Sequence, residues 1–127
     1  MSELSNITGQ LDSDHFSIDN QGVSINGVSN IKRPGILLIY ENWCGHCVRF
    51  KPIYDQFSQL MNQGYPKKNK VLCYAIEGKI MSEDLKSKVG VQGFPTIVLF
   101  NSDGYITQKY AGNRDIDSLK TAVGQMS

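Results

Sequence analysis

The sequence predicts an α/β domain with a mixed central β-sheet covered by helices on both faces. Three observations carry that expectation. Residues 36–40, "ILLIY", form a continuous apolar run with β-branched members, as in a strand buried on both faces of a parallel sheet. Helical spacing follows at once: Val48, Phe50, Ile53, Tyr54, Phe57, Leu60 and Met61 recur at threes and fours. Strand and helix then alternate until two strands joined by a tight turn precede a last helix, an order that mixes parallel and antiparallel pairing.

The elements read as follows along the chain. The first twelve residues are polar and aperiodic, so residues 1–13 are expected to be a flexible arm ahead of a domain at 14–127. "HFSI" and "GVSI" alternate apolar and polar residues and predict short strands at 16–18 and 23–25. "DNQG" between them reads as a turn. A short helix is an option at 28–31, and "RPG" at 33–35 breaks the chain before the buried strand. The long helix should begin near Cys44 and end near Gly64, before Pro66. Pro52 lies inside it, lacks an N–H and sets its ring against the Val48 carbonyl, which predicts a kink. "VLCYAI", 71–76, is a second buried strand. "SEDLKSKVG" has Ser82 as N-cap, acids in the first turn and Gly90 as the stop of a short helix. "TIVLF" and "YITQKY" flank "NSDG" and predict a hairpin, with Gly104 at positive φ. "DIDSLKTAVGQM" is amphipathic, with Ile116, Leu119 and Val123 as its inner stripe.

At 127 residues the chain suits one domain with one core. Forty per cent apolar and 20% charged is ordinary for a soluble globular protein. The formal net charge of +1 gives no general attraction to nucleic acid or anionic lipid, so neither is an expected partner, and a monomer is expected. Lys67, Lys68 and Lys70 read as a solvated loop. No segment is long and apolar enough to span a membrane, the first thirty residues carry no signal-peptide core, and the end is not a KDEL-type retrieval signal. With Met1 as the true start, a soluble cytoplasmic protein is expected. A removed leader would instead place it in an oxidising compartment, where "NIT" at Asn6 would be a formal glycosylation site.

Three cysteines cannot make a disulfide framework, because one is left over. Cys44 and Cys47 lie three positions apart at the strand-to-helix corner, with His46 between them. Metal ligation, a structural staple and redox chemistry are all open for such a pair. Zinc fits poorly: it takes four ligands, or three and a water, only one CxxC is present, and His46 would have to bend back. No metal and no cofactor is expected. Cys73 lies mid-strand in an apolar run and reads as a buried, inert thiol.

The order of elements and the residues "WCGHC" together resemble the thioredoxin superfamily. The motif is similar to that of the catalytic domains of protein disulfide isomerases, since thioredoxins proper usually carry proline where His46 stands. Distant matches extend the resemblance over roughly residues 14 to 125. "GVQGFPT", 90–96, is similar to the family loop whose proline is cis, here Pro95. Pro52 matches the kink proline of the active-site helix. "YAGNR", 110–114, resembles the isomerase segment whose arginine approaches the active site, here Arg114. The resemblance implies a thioredoxin fold and a thiol–disulfide oxidoreductase. It would exchange disulfides with protein substrates carrying disulfides or free thiols, with an unknown redox partner.

Within that frame each residue has an expected task. The attacking sulfur must be a thiolate, and Cys44, at a helix N-terminus, faces unpaired N–H groups that favour the anion. Cys47, one turn further in, should be buried with a higher pKa. A protonated His46 would stabilise the Cys44 thiolate and make the pair a better oxidant. Gly45 leaves room for a partner chain, and Trp43 would shelter the sulfurs and provide an apolar edge. Phe94, a cis Pro95 and Thr96 would present backbone and apolar surface to an extended substrate. Members of the family often carry a buried acid six positions before the first cysteine, paired with a lysine on the next strand. Leu38 stands there, with Ala75 and Ile76 opposite, so slower resolution by Cys47, or a different proton acceptor such as water, is expected. Glu41 and Glu77 are the candidate substitutes, read more readily as exposed strand ends, and Arg114 could swing in to lower the Cys47 pKa. The rival reading is a chaperone or adaptor that keeps the fold and holds unfolded chains with little redox turnover.

Overall fold

The computed structural model describes residues 9–25, 33–62 and 72–124. A five-stranded sheet runs in the order β1 (Gly9–Gln10), β5 (Leu72–Glu77), β4 (Gly35–Tyr40), β6 (Thr96–Phe100), β7 (Ile106–Lys109). β4 is parallel to β5 and antiparallel to β6, β1 joins β5 in parallel, and β7 closes the hairpin with β6. The central position of β4 accounts for its composition: all six of its residues are buried, so both faces must be apolar.

Side chains of β4 alternate between two cores. Ile36, Leu38 and Tyr40 pack with Phe50, Tyr54 and Phe57 of α1 (Gly45–Asn62) and with Leu119 and Val123 of α3 (Ile116–Gly124). Leu37 and Ile39 pack on the other face with Leu85 and Val89 of α2 (Glu83–Val89) and with Val23 and Ile25. Val23 and Ile25 belong to an antiparallel hairpin of β2 (Phe16–Asp19) and β3 (Gly22–Ile25) that forms its own two-stranded sheet. The hairpin is tied to the main sheet by Ile25 N–H donating to the Gly104 carbonyl at 2.8 Å. The Tyr54 hydroxyl lies deep in the first core. It sits 3.1 Å from the Ile36 carbonyl and 2.7 Å from that of Tyr74, so α1 is pinned to β4 and β5.

Local signals operate as the sequence leads one to expect. Ser82 accepts from Leu85 N–H at 3.0 Å and caps α2, and Gly90 ends it with φ of +92°. Gly104 takes φ of +91° in the β6–β7 turn. Pro52 lies exposed within α1, which runs on through it. Other details differ. Gly9 and Gln10 were expected in the arm, yet they pair with Tyr74 and Ala75, and Leu11 is buried. A 3-10 turn at Ser13–His15, capped by Asp12, follows. β5 runs one residue further than expected and β7 begins at Ile106. The optional helix at 28–31, the helix stop at Gly64, the lysines at 67, 68 and 70, and Asn6 lie outside the described residues.

Candidate redox site

Cys44 stands one residue before α1, and its carbonyl accepts the first helical bond, from Val48 N–H at 3.0 Å. It is thus the N-cap of the helix, where Ser, Thr or Asp usually place an oxygen over the free N–H groups of the first turn. Here a sulfur occupies that place. The Cys47 N–H does most to hold the Cys44 thiol below its ordinary range. The Cys47 thiol, the His46 N–H and the positive charge of Arg114 add to the effect, against partial desolvation of the sulfur. The contribution of His46 to this sulfur is its backbone N–H. Its ring Nδ1 lies 2.9 Å from the Arg49 guanidinium. Gly45 is exposed, and a Cβ there would meet only Arg49 Nη1 at 3.5 Å.

Cys47 is 1% exposed. Burial pushes its thiol up to about 11, and hydrogen bonding and charge from Cys44 push the same way. The Glu41 N–H, 3.5 Å from the sulfur, and the charge of Lys51 oppose them. Both site cysteines are free thiols, as is Cys73. The burial of Cys73 raises its thiol to about 12, in keeping with an inert core residue.

The loop that leads into β6, the strand beside β4, approaches the pair. The Phe94–Pro95 peptide is cis, and the Cys44 thiol donates to the Phe94 carbonyl at 3.4 Å. The Trp43 ring, 76% exposed, meets Phe94 edge to face with centroids 6.0 Å apart. Trp43 was expected to shelter the sulfurs and provide an apolar edge; its exposed ring presents apolar surface to solvent beside Phe94. Thr96 anchors the loop by donating to the Gly93 carbonyl at 2.7 Å. A groove of about 270 Å³ runs from Pro95 and Thr96 past Lys109 and Tyr110 to Arg114. The charge of Arg114 acts on Cys44, whereas the sequence pointed it toward Cys47. Among the described residues, no group of three or more His, Cys, Asp or Glu side chains is placed to hold a metal.

Leu38 and Ala75 are register partners on β4 and β5, both fully buried in the same core as Cys47. The acid–lysine pair expected of the family therefore has no counterpart at this register. Glu41 is not the exposed strand end the sequence suggested: it is 5% exposed, and its Oε1 has no hydrogen-bond partner. Desolvation raises its carboxyl above the usual range, and Glu77 adds to this, against the attraction of Lys86 and Lys79. Those lysines belong to α2 and to the turn before it, and Glu41 follows the alternation of Leu37 and Ile39. Its carboxylate therefore lies across the sheet from Cys47. Glu77 is half-buried, accepts a hydrogen bond from Asn42 Nδ2 at 3.1 Å and forms an ion pair with Lys79 Nζ at 3.6 Å. Sequence reasoning passed over Lys51, which is 4% exposed beside Tyr40. A signal was present: Lys51 lies four after Cys47 and three before Tyr54, inside the buried stripe of α1.

Comparison with known proteins agrees with this geometry. The thioredoxin family profile matches residues 25–125. A protein disulfide-isomerase of Triticum aestivum is 37% identical over 101 residues, covering 76% of this chain and 19% of that protein. One of Schizosaccharomyces pombe is 32% identical over 100 residues, covering 79% and 26%. The chain thus spans about a quarter or less of the curated relatives it matches. Among solved structures, human ERp44 superposes with a TM-score of 0.74 at 19% identity, covering 97% of this chain and 31% of that one. The first thioredoxin domain of mouse protein disulfide-isomerase A4 gives 0.63 at 26% identity, covering 87% and 78%. On the family match and the shared architecture, this chain belongs to the thioredoxin family.

Proposed function

We propose that the chain is a thiol–disulfide oxidoreductase of the protein disulfide isomerase kind, exchanging disulfides with protein substrates through Cys44 and Cys47. The observation that carries this reading is the division of labour between the two sulfurs. One caps a helix with its pKa lowered and reaches the surface; the other is buried with its pKa raised. The Cys44 thiolate attacks one sulfur of a substrate disulfide, forming a mixed disulfide and releasing the other substrate sulfur as a thiolate. Cys47, once deprotonated, attacks the Cys44 sulfur; the second substrate thiolate leaves, and the Cys44–Cys47 disulfide carries the two electrons' worth of oxidation. Run backward, the same steps oxidise a substrate dithiol. Stabilising the Cys44 thiolate stabilises the reduced pair, which inclines the couple toward oxidation and reshuffling. The Phe94 carbonyl and the Trp43–Phe94 surface lie where an extended substrate would meet Cys44. Recognition would then rest on backbone and apolar contact, with protein substrates and a separate redox partner as the expected associates.

Reduction of insulin disulfides tests this. Wild type should turn over and Cys44→Ser should be inactive. Cys47→Ser should accumulate a mixed disulfide on Cys44. A Cys44→Ser protein as active as wild type would refute the mechanism. A wild type that fails to turn over yet keeps unfolded chains from aggregating would favour the adaptor reading, to which the exposed Trp43 is suited.

A further inference from the structure

We propose that Lys51 is the positioning residue for the second step. Its buried ammonium, held by Asn42 and the Tyr40 ring one turn beyond Cys47, provides the charge that favours the Cys47 thiolate where the register pair Leu38 and Ala75 of β4 and β5 supplies neither acid nor base. The need for that thiolate rests on the function proposed above; the placement of the lysine does not.

Lysine is almost never fully buried unless paired with an opposite charge. Lys51 is buried, yet its hydrogen bond goes to a neutral amide, Asn42 Oδ1, and its Nζ lies 4.2 Å from the Tyr40 ring centroid. Among the described residues no carboxylate lies within ion-pair distance of it. Asn42 is itself oriented: its Nδ2 donates to Glu77 Oε2 at 3.1 Å, so its oxygen must face the lysine. The Tyr40 hydroxyl donates outward to Gln10 Oε1 at 3.2 Å, which fixes the ring. A buried cation is thus held by neutral groups and waits without a fixed anion. The anion that forms beside it, one helical turn back, is Cys47 during resolution. A nearby opposite charge lowers a thiol pKa against the push of burial, and the thiol proton departs to water. Other charged groups near the site do not supply this. The Glu41 carboxylate lies across the sheet, Glu77 is held by Asn42 and Lys79, Arg114 acts on Cys44, and Arg49 is engaged with His46.

The test reads Cys47 directly. Capping Cys44 with iodoacetamide mimics the mixed disulfide and removes the hydrogen bond and charge by which Cys44 raises Cys47, bringing its titration into reach. The midpoint is followed by NMR of 13Cβ-labelled cysteine in wild type, Lys51→Met, Lys51→Gln and Lys51→Arg. The two uncharged variants should raise the midpoint by about one unit, equally despite their different shapes, with Arg close to wild type. Per unit, the thiolate fraction falls about tenfold at neutral pH. A more basic thiolate is also more nucleophilic, so release of glutathione from its Cys44 mixed disulfide should slow only about threefold. An unchanged midpoint in either folded uncharged variant, or an equal rise in Lys51→Arg, overturns the proposal. If wild type exchanges no disulfide at all, the functional reading fails, while the titration still decides the role of Lys51.

Discussion

Gly78→Ala connects packing beneath the site to its chemistry. Gly78 is buried in the 3-10 turn after β5. A Cβ there would lie 2.6 and 2.8 Å from two ring carbons of Phe94 and 2.9 Å from Glu41 Oε2. Ordinary carbon contact begins near 3.5 Å, so the ring must retreat by about 0.9 Å. It has little room to do so. On one side the Trp43 ring leans on it edge to face, and it packs against both cores. The opposite escape would move Glu41, whose buried carboxyl already has a partnerless oxygen. Overpacking of this kind costs about 1–3 kcal/mol. Because the Phe94 carbonyl is the acceptor for Cys44, the displacement should reach the nucleophile. Trp43 is the only tryptophan in the chain, so its emission reports locally on the same movement. Urea unfolding should show a lower midpoint with an unchanged slope, the native Trp43 emission should shift, and insulin reduction should slow. Stability within about 0.5 kcal/mol of wild type, with unaltered Trp43 emission, would refute the claim that Gly78 sets the position of Phe94.

Gly45→Ala meets only open space and one arginine nitrogen, and alanine favours the helix by about 0.5–1 kcal/mol. Stability should hold or rise in urea titrations while exchange with folded protein substrates falls more than exchange with a small disulfide; equal loss on both would argue against a partner-approach role. Glu41→Gln tests the raised carboxyl. A carboxyl with a folded-state pKa above its unfolded value binds protons better when folded, so wild-type stability should fall as pH rises through that window. Glu41→Gln should lack this slope and be more stable than wild type at neutral pH, measured by urea unfolding at pH 5 and 7. Tyr54→Phe removes the hydroxyl shared by the Ile36 and Tyr74 carbonyls and should cost about 1–2 kcal/mol in the same assay, with the redox chemistry intact.

Sequence pattern revealed most of the architecture because it is carried by burial and local chemistry. The unbroken run 36–40 is what a central strand requires, and Ser82, Gly90 and Gly104 specify their caps and turn through backbone geometry alone. β1 was hidden because Gly9 and Gln10 carry no pattern; edge backbone bonds, such as Leu11 N–H to the Ala75 carbonyl at 2.8 Å, make it a strand. At the site, Cys44 and Cys47 were legible from their spacing, and Leu38 opposite Ala75 marked the absent pair. The burial of Glu41 was not, since it depends on Gly78 and Phe94 converging from distant parts of the chain. Lys51 was concealed by its charge: a lysine on a helix is taken for a solvated residue unless its place in the apolar stripe is weighed against its type.

The central claim is that helix capping lowers the Cys44 thiol pKa and makes Cys44 the nucleophile, while Cys47 stays protonated and enclosed. The rate of iodoacetamide modification of the reduced protein against pH, resolved by residue with mass spectrometry, tests it most directly. The account predicts that Cys44 reacts first, with a midpoint below the ~8.5 of an ordinary thiol, while Cys47 and Cys73 resist. A Cys44 midpoint at or above that value, or Cys47 reacting ahead of it, would contradict the account.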